Sequence, residues 1–222
     1  MIPEILDSCI LFHGIDPRDR TAMLGCLGAK ELFVPRNHPV FSEGEPANYI
    51  GIVLSGQVQL VREDYYGNRS IISVAAPGQL FGESFACADV EVYPISAVAV
   101  EDSRVLLFPS SRITATCCNA CSFHQKMIYN MLRAMATSNL ALNEKIEITS
   151  KRTTREKLMA YLLSQAKHHG SNRFTIPYDR QELADYLEVE RSAMSAEISK
   201  LKKDGLIDCK KSEFEIFKNF SN

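Results

Sequence analysis

A chain of 222 residues can form one large or two modest domains with cores of their own, and a formal net charge of −2 excludes a protein built only to bind nucleic acid. No apolar run is long enough to span a bilayer, and the N-terminus lacks the basic start and apolar stretch of a signal peptide, so a soluble cytoplasmic protein without membrane attachment is expected. Seven cysteines without framework spacing point to reduced thiols rather than disulfides.

The charge is unevenly spread. Residues 1–148 carry 11 Lys+Arg against 16 Asp+Glu, whereas 149–222 carry 14 against 11, so the C-terminal third is the basic part. Residues 2–30 read as short helical pieces with apolar faces at Ile5, Leu6, Leu11, Phe12, Met23, Leu24 and Leu27, broken at Gly14–Pro17. From Glu31 the texture changes to short apolar runs: Leu32–Val34, Val40–Phe41, Ile50–Leu54, Val58–Val61, Ile71–Val74, Leu80–Phe81, Ile95–Val100 and Val105–Phe108. Turn residues such as Glu43-Gly-Glu-Pro46, Ser55-Gly56, Tyr66-Gly-Asn68 and Ala76-Pro-Gly78 separate them, which predicts an all-β barrel or sandwich. Its interior could hold a small molecule or be filled with its own side chains.

Past Thr116 the β pattern ends. Ile128, Leu132, Met135, Asn139, Leu142 and Ile146 recur at spacings of 4, 3, 4, 3 and 4, a heptad seam along a helix from about Cys121 to Ile148. Such a seam asks for a partner helix, and Asn139 at an a position fixes register and two-strandedness at some cost in stability. A second stripe, Met127, Met131, Ala134 and Ser138, is expected to pack back on the barrel. The alternative is a helix buried within its own chain.

Thr149–Thr154 is a polar, basic break whose hydroxyls can cap a following helix over 154–168, ending at His168-His-Gly170. Phe174-Thr-Ile176 reads as a strand. Asp179 and Glu182 then form a capping-box pattern, with Leu183, Tyr186 and Leu187 at helical spacing. A turn around Val189 follows, then a second helix with a buried stripe at Met194, Ile198 and Leu201 and a left-handed stop at Gly205. This is a helix-turn-helix, a motif whose second helix places its N-terminal side chains, here Arg191, Ser192 and Ser195, in the major groove. An ordinary helical hairpin is the plainer alternative. Leu206–Cys209 and Phe214–Phe217 around Lys210-Lys-Ser-Glu213 complete a winged helix.

With barrel, heptad helix and winged helix in this order, the chain resembles the cyclic-AMP receptor protein/FNR superfamily of bacterial transcription regulators. Pro39-Val-Phe41, Glu43-Gly44, Ile52–Val58, Tyr66-Gly67 and Pro77–Glu83 look like that family's jelly-roll landmarks, and Arg180–Ala184 through Lys203–Ile207 look like its DNA-binding motif. The resemblance implies an α+β fold with a jelly-roll β-barrel of the cyclic-nucleotide-binding type at residues 1–120, a long dimerisation helix at 121–148 and a winged helix-turn-helix at 149–222. It implies a homodimer paired through Ile128, Leu132, Met135, Asn139, Leu142 and Ile146, an inverted-repeat duplex DNA operator with half-sites about 34 Å apart, and RNA polymerase as a further partner. Thr153, Arg180 and Gln181 would sit over phosphates, Lys200 is a candidate phosphate contact or a solvated side chain, and Arg191, Ser192 and Ser195 would face base edges. Ser192 stands where relatives often carry glutamate and Ala196 where they usually carry arginine, so their recognition sequence does not transfer.

The effector cassette departs further. Cyclic-nucleotide binders of the family follow a Gly-Glu pair with Arg-Ser, whose guanidinium answers the cyclic phosphate. Here Gly82-Glu83 is followed by a longer segment with Ile95 where the arginine should stand, and Asp89 and Glu91 add negative charge. A buried phosphate without a cation is costly, so cyclic AMP and cyclic GMP are not expected to bind tightly. A neutral or aromatic effector of unknown identity is expected instead, with Phe81, Gly82, Glu83, Ser84, Ile95 and Ser96 as wall residues and Met135 or Asn139 as the link to the helix; having no physiological ligand is the alternative.

Two other readings compete. Cys117, Cys118 and Cys121 could make a redox- or metal-responsive regulator, because thiolates gain from a helix N-terminus, but no fourth ligand is evident and small cysteines also serve as core residues. No cofactor or metal is therefore assigned. No Gly-rich phosphate loop, zinc helix or nucleophile elbow appears, and His13, His38 and His124 have no partner at a meaningful spacing, so the chain is not expected to be an enzyme. A sensing module without DNA activity is the remaining class.

Overall fold

Asp16 accepts a hydrogen bond from the Arg18 amide, and Pro17 supplies a ring pre-set for the first helical position, so the chain enters α1 (Pro17–Leu27) there. It leaves at Gly28, whose φ of 61° is the left-handed conformation that a Cβ disfavours. The computed structural model describes residues 4–114 and 122–217. Short 3-10 turns at Glu4–Asp7 and Ile10–Phe12 precede α1. After it come β1 (Lys30–Val34), β2 (Pro39–Phe41), β3 (Tyr49–Ser55), β4 (Val58–Glu63), β5 (Arg69–Ala75), β6 (Leu80–Phe81), α2 (Glu83–Cys87), β7 (Ser96–Ala99), β8 (Ser103–Pro109) and α3 (Ser111–Thr114). The long helix α4 (Ser122–Thr149) is followed by α5 (Thr154–His169), β9 (Arg173–Thr175), α6 (Arg180–Leu187), α7 (Arg191–Lys203), β10 (Ile207–Lys210) and β11 (Glu213–Ile216).

The eight N-terminal strands form two four-stranded antiparallel sheets, in the orders β1-β8-β3-β6 and β2-β7-β4-β5. Between them lies a core of Val34, Phe41, Val53, Val58, Leu60, Phe81, Tyr93, Ile95, Ala97, Ala99 and Val105. The opposite face of the first sheet, carrying Ile50, Ile52, Leu54, Leu106 and Phe108, is covered by Leu6, Leu11, Phe12, Met23 and Leu27 and by Met127 and Met131 of α4. Both faces of β3 are therefore dry. That is why its sequence is a continuous apolar run rather than an alternation.

The second stripe foreseen on α4 packs as expected: Met127, Met131 and Ala134 are buried. Asn130, fully buried beside them, donates to the carbonyl oxygens of Leu11 (3.0 Å) and His13 (2.9 Å) and so ties α4 to the N-terminal turns.

By its contacts the chain divides into two compact units, Met1–Asn139 and Leu140–Asn222, so the division falls inside α4, where the sequence pattern sets residues 121–148 apart as an element of their own. The physical reason is that the buried stripe changes company along the helix. Met131 joins the first unit's core, whereas Lys145 and Ile148 are buried in the second unit.

The second unit is a winged helix. Leu158, Tyr161 and Leu162 of α5, Leu183 and Leu187 of α6, and Met194, Ile198 and Leu201 of α7 are buried, and β10, β11 and β9 form a three-stranded antiparallel sheet beside them. Both α5 and α6 start with complete capping boxes, Thr153 with Glu156 and Asp179 with Glu182. Tyr161, Tyr178 and Tyr186 form a buried aromatic cluster, with Tyr178 and Tyr186 stacked at 4.9 Å. Burial raises all three phenols, Tyr186 to about 12, so they stay neutral and act as packing.

Candidate DNA-reading face and effector cassette

The turn between α6 and α7 is three residues long, Glu188 to Glu190, and it delivers Arg191, Ser192 and Ser195 to the exposed side of α7. Met194, Ile198 and Leu201 hold the other side against the domain core. Several cations around α7 are already engaged. Arg155 pairs with Asp204 at 2.8 Å, Lys200 with Glu197 at 2.6 Å and Lys202 with Asp208 at 2.7 Å. The last pairing holds Asp208 below the usual carboxylate range and Lys202 above the usual ammonium range. Among the described residues, Arg191, Lys203, Lys210 and Lys211 are exposed and carry no ion pair.

The other sequence-predicted DNA residues have partners within the domain. The Thr153 hydroxyl accepts from the Glu156 amide at 3.2 Å and donates to the Glu156 carboxylate at 3.0 Å. Arg180 donates to the Cys209 sulfur at 3.2 Å and lies 5.0 Å from the Phe214 ring, so it is turned towards the wing. Gln181 donates to Asp185 at 2.8 Å, and Lys200 is held by Glu197. Of the sequence-predicted DNA residues, Arg191, Ser192 and Ser195 are the ones that are both exposed and placed at the start of α7.

Among the described residues, the proposed effector residues occupy several distinct settings. Phe81 and Ile95 are buried between the sheets, where Phe41 stacks on Tyr93 at 3.7 Å between ring centroids. The Tyr93 hydroxyl donates to the Tyr49 carbonyl at 2.7 Å and accepts from its amide at 3.1 Å, which satisfies this buried phenol. Gly82, at φ 77°, caps α2, and Ser84 is half-buried on that helix. The Glu83 carboxylate is buried and accepts from Ser138 of α4 at 3.0 Å. Met135 packs partly buried against the helical core, and Asn139 is exposed.

Ile95 and Ala97 face the interior of β7's sheet, whereas Ser96 and Val98 face away from it, as strand alternation requires. Ser96 there accepts from the Glu43 amide at 3.0 Å and lines a cleft of about 230 Å³ with Pro39, Ser42, Glu43, Val61, Glu63 and Val98. That cleft is below the usual 300 Å³ or more of a small-molecule site and carries two carboxylates. Alternation was the signal that separates Ile95 from Ser96.

Of the cysteines, Cys9 is buried and its thiol is pushed up to about 11 by burial, which makes it a packing residue. Cys117, Cys118 and Cys121, on which the redox reading rests, lie outside the described residues. No helix among the described residues is long and apolar enough to cross a membrane.

Residues 17–118 match the family model of the cyclic nucleotide-binding domain, and residues 156–218 match the Crp-like helix-turn-helix domain. The chain belongs to the cyclic-AMP receptor protein/FNR superfamily of bacterial transcription regulators. Within that superfamily it is 22% identical over 193 residues to a CRP-like cAMP-activated global transcriptional regulator of Mycobacterium tuberculosis, covering 86% of this chain and 85% of the relative. Solved structures share its fold, two of them as follows. FixK2 from Bradyrhizobium japonicum has a TM-score of 0.68 at 20% identity, covering 86% of this chain and 93% of that one. The c-di-GMP responsive regulator CLP from Xanthomonas campestris has a TM-score of 0.73 at 16% identity, covering 90% and 99%. The superfamily consists of transcription regulators rather than enzymes, and the helix-turn-helix of this member is its DNA-binding part.

Proposed function

We propose that the protein is a homodimeric regulator that reads an inverted-repeat DNA operator with Arg191, Ser192 and Ser195, and whose DNA affinity answers to a small effector other than a cyclic nucleotide. The observation that carries the DNA part is Arg191, an exposed guanidinium without an ion pair at the first position of the recognition helix. Such a group can bridge O6 and N7 of guanine, worth roughly 1–3 kcal/mol of discrimination. Among the described residues, Lys203, Lys210 and Lys211, close to α7 or in the wing, are exposed cations without an ion pair that can meet phosphates, whereas Arg180 and Lys200 would first have to leave their partners. RNA polymerase is the further partner this reading implies.

The dimer is supported by what α4 leaves uncovered. Leu132 is 65% and Ile146 62% exposed, and Ile128 and Leu142 of the same seam are exposed as well. Exposed large apolar side chains along a heptad row, with Asn139 at an a position among them, ask for a second copy of the same helix. Against a cyclic nucleotide stands the segment 80–99, which contains no Lys or Arg and buries Ile95 where a guanidinium would be needed. Selecting from a random duplex pool with the full-length protein tests the reading: an enriched inverted repeat, lost with Arg191→Ala, is expected, and enrichment of no sequence overturns it.

A further inference from the structure

Glu188 occupies the left-handed region, with φ 54° and ψ 56°, at the end of α6, a conformation that costs any residue with a Cβ. Glycine would fit there without strain, yet this chain places a glutamate in the turn that aims its recognition helix. What surrounds the turn explains the choice. Lys157 of α5 donates to the carbonyl oxygens of Leu187 and Glu188, both at 3.3 Å, and so grips the backbone of the turn. Lys145 of α4 is only 7% exposed; its ammonium lies 5.1 Å from the Tyr186 ring centroid and 3.9 Å from the Glu188 carboxylate. One residue earlier on α4, Glu144 accepts a hydrogen bond from Ser164 of α5 and lies 3.5 Å from His168. The last turns of α4 therefore hold both α5 and the α6–α7 turn.

We infer that Glu188 is a positioning residue for the recognition helix, through which the end of α4 sets the placement of Arg191, three residues further on. This rests on the DNA-reading role proposed above. The Glu188 carboxylate is half-exposed, and a partly solvated ion pair adds little to stability. Its worth lies in fixing where the turn sits, because Lys145 is itself anchored by burial against Tyr186. A signal arriving along α4 would reach Arg191 by the Lys145–Glu188 contact rather than through the packed core.

The test uses full-length protein with Glu188→Gly, Lys145→Met and the double variant. Glycine relieves the left-handed strain, so thermal stability of Glu188→Gly should equal or exceed that of the wild type, which a merely structural role would not predict. In the DNA-free protein, hydrogen exchange of the Val189–Arg191 amides should speed up by about threefold or more in each single variant. Affinity for the duplex enriched by the wild type should fall by about threefold or more in each, with no further loss in the double variant, as coupled residues require. Exchange and affinity within twofold of wild type, or losses that multiply in the double variant, would overturn the inference. Failure of the wild type to enrich any duplex overturns the DNA reading instead, and the exchange measurement alone then decides whether the anchor exists.

Discussion

The carboxylate of Glu83, 6% exposed, accepts a hydrogen bond from the hydroxyl of Ser138 at 3.0 Å. Glu83 opens the short helix after the β6 strand, and Ser138 lies half-buried on the inward stripe of α4, so this bond joins the segment proposed to meet an effector to the long helix. Ser138→Ala leaves a buried carboxylate without that donor. A loss of about 1.5–3 kcal/mol is expected, the usual worth of a hydrogen bond to a charged group. Urea denaturation checks it, and a loss below about 0.5 kcal/mol would show that water replaces the hydroxyl.

Cyclic AMP should not bind tightly. Ile95 is part of the apolar core between the sheets, beside Tyr93 and Ala97, and a phosphate there would meet no cation from the segment 80–99. Calorimetry with cyclic AMP and cyclic GMP should give no micromolar affinity. A micromolar constant would mean that a cation from outside the segment 80–99 reaches the site.

Leu132→Glu should separate the proposed dimer without unfolding the subunit. Leu132 is mostly exposed on α4, so the charge costs little within one chain but faces its own copy across the seam. Sedimentation velocity should report half the wild-type mass at micromolar concentration. Unchanged mass would place the dimer contact elsewhere.

Stability should fall on the acid side. The Arg18 side chain holds Asp16 down at about 2, Asn68 lowers Asp64, the Thr153 amide lowers Glu156, and Lys202 lowers Asp208. Each is a carboxylate whose folded value lies below its unfolded one, near 4. Their contribution is thus fully present above about pH 4–5 and is lost as the pH falls through the folded values. The urea midpoint should be flat from pH 7 to about 5 and decline below about 4; a midpoint that holds at pH 3 would show that these hydrogen bonds do not persist in solution.

Much of the architecture is readable from local chemistry. Asp179 and Glu182 spell a capping box that forms as written, and Met127, Met131 and Ala134 repeat at a helical period that only a buried face needs. What could not be read was set by tertiary contacts between distant positions. Asn130 holds two carbonyl oxygens more than a hundred residues upstream, and nothing local marks it for that role. The turn around Val189 was legible, but Glu188 is not a residue that favours left-handed backbone, so its conformation and its hold by Lys145 and Lys157 were not. On the reading face, exposure and helix position single out Arg191, Ser192 and Ser195, whereas Thr153, Arg180, Gln181 and Lys200 have partners the sequence could not show.

The central claim is that Arg191 reads base edges from the exposed end of α7 while free lysines supply the phosphate contacts. Binding of the selected duplex should be measured against salt concentration for the wild type, Arg191→Ala and Lys203→Ala. Arg191→Ala should lose about 1–3 kcal/mol on the selected sequence and little on random duplex. Lys203→Ala should weaken both alike and reduce the salt slope by about one. Equal loss on selected and random duplex in Arg191→Ala would contradict the account, because it would make Arg191 a phosphate contact and leave the sequence to be read by other residues.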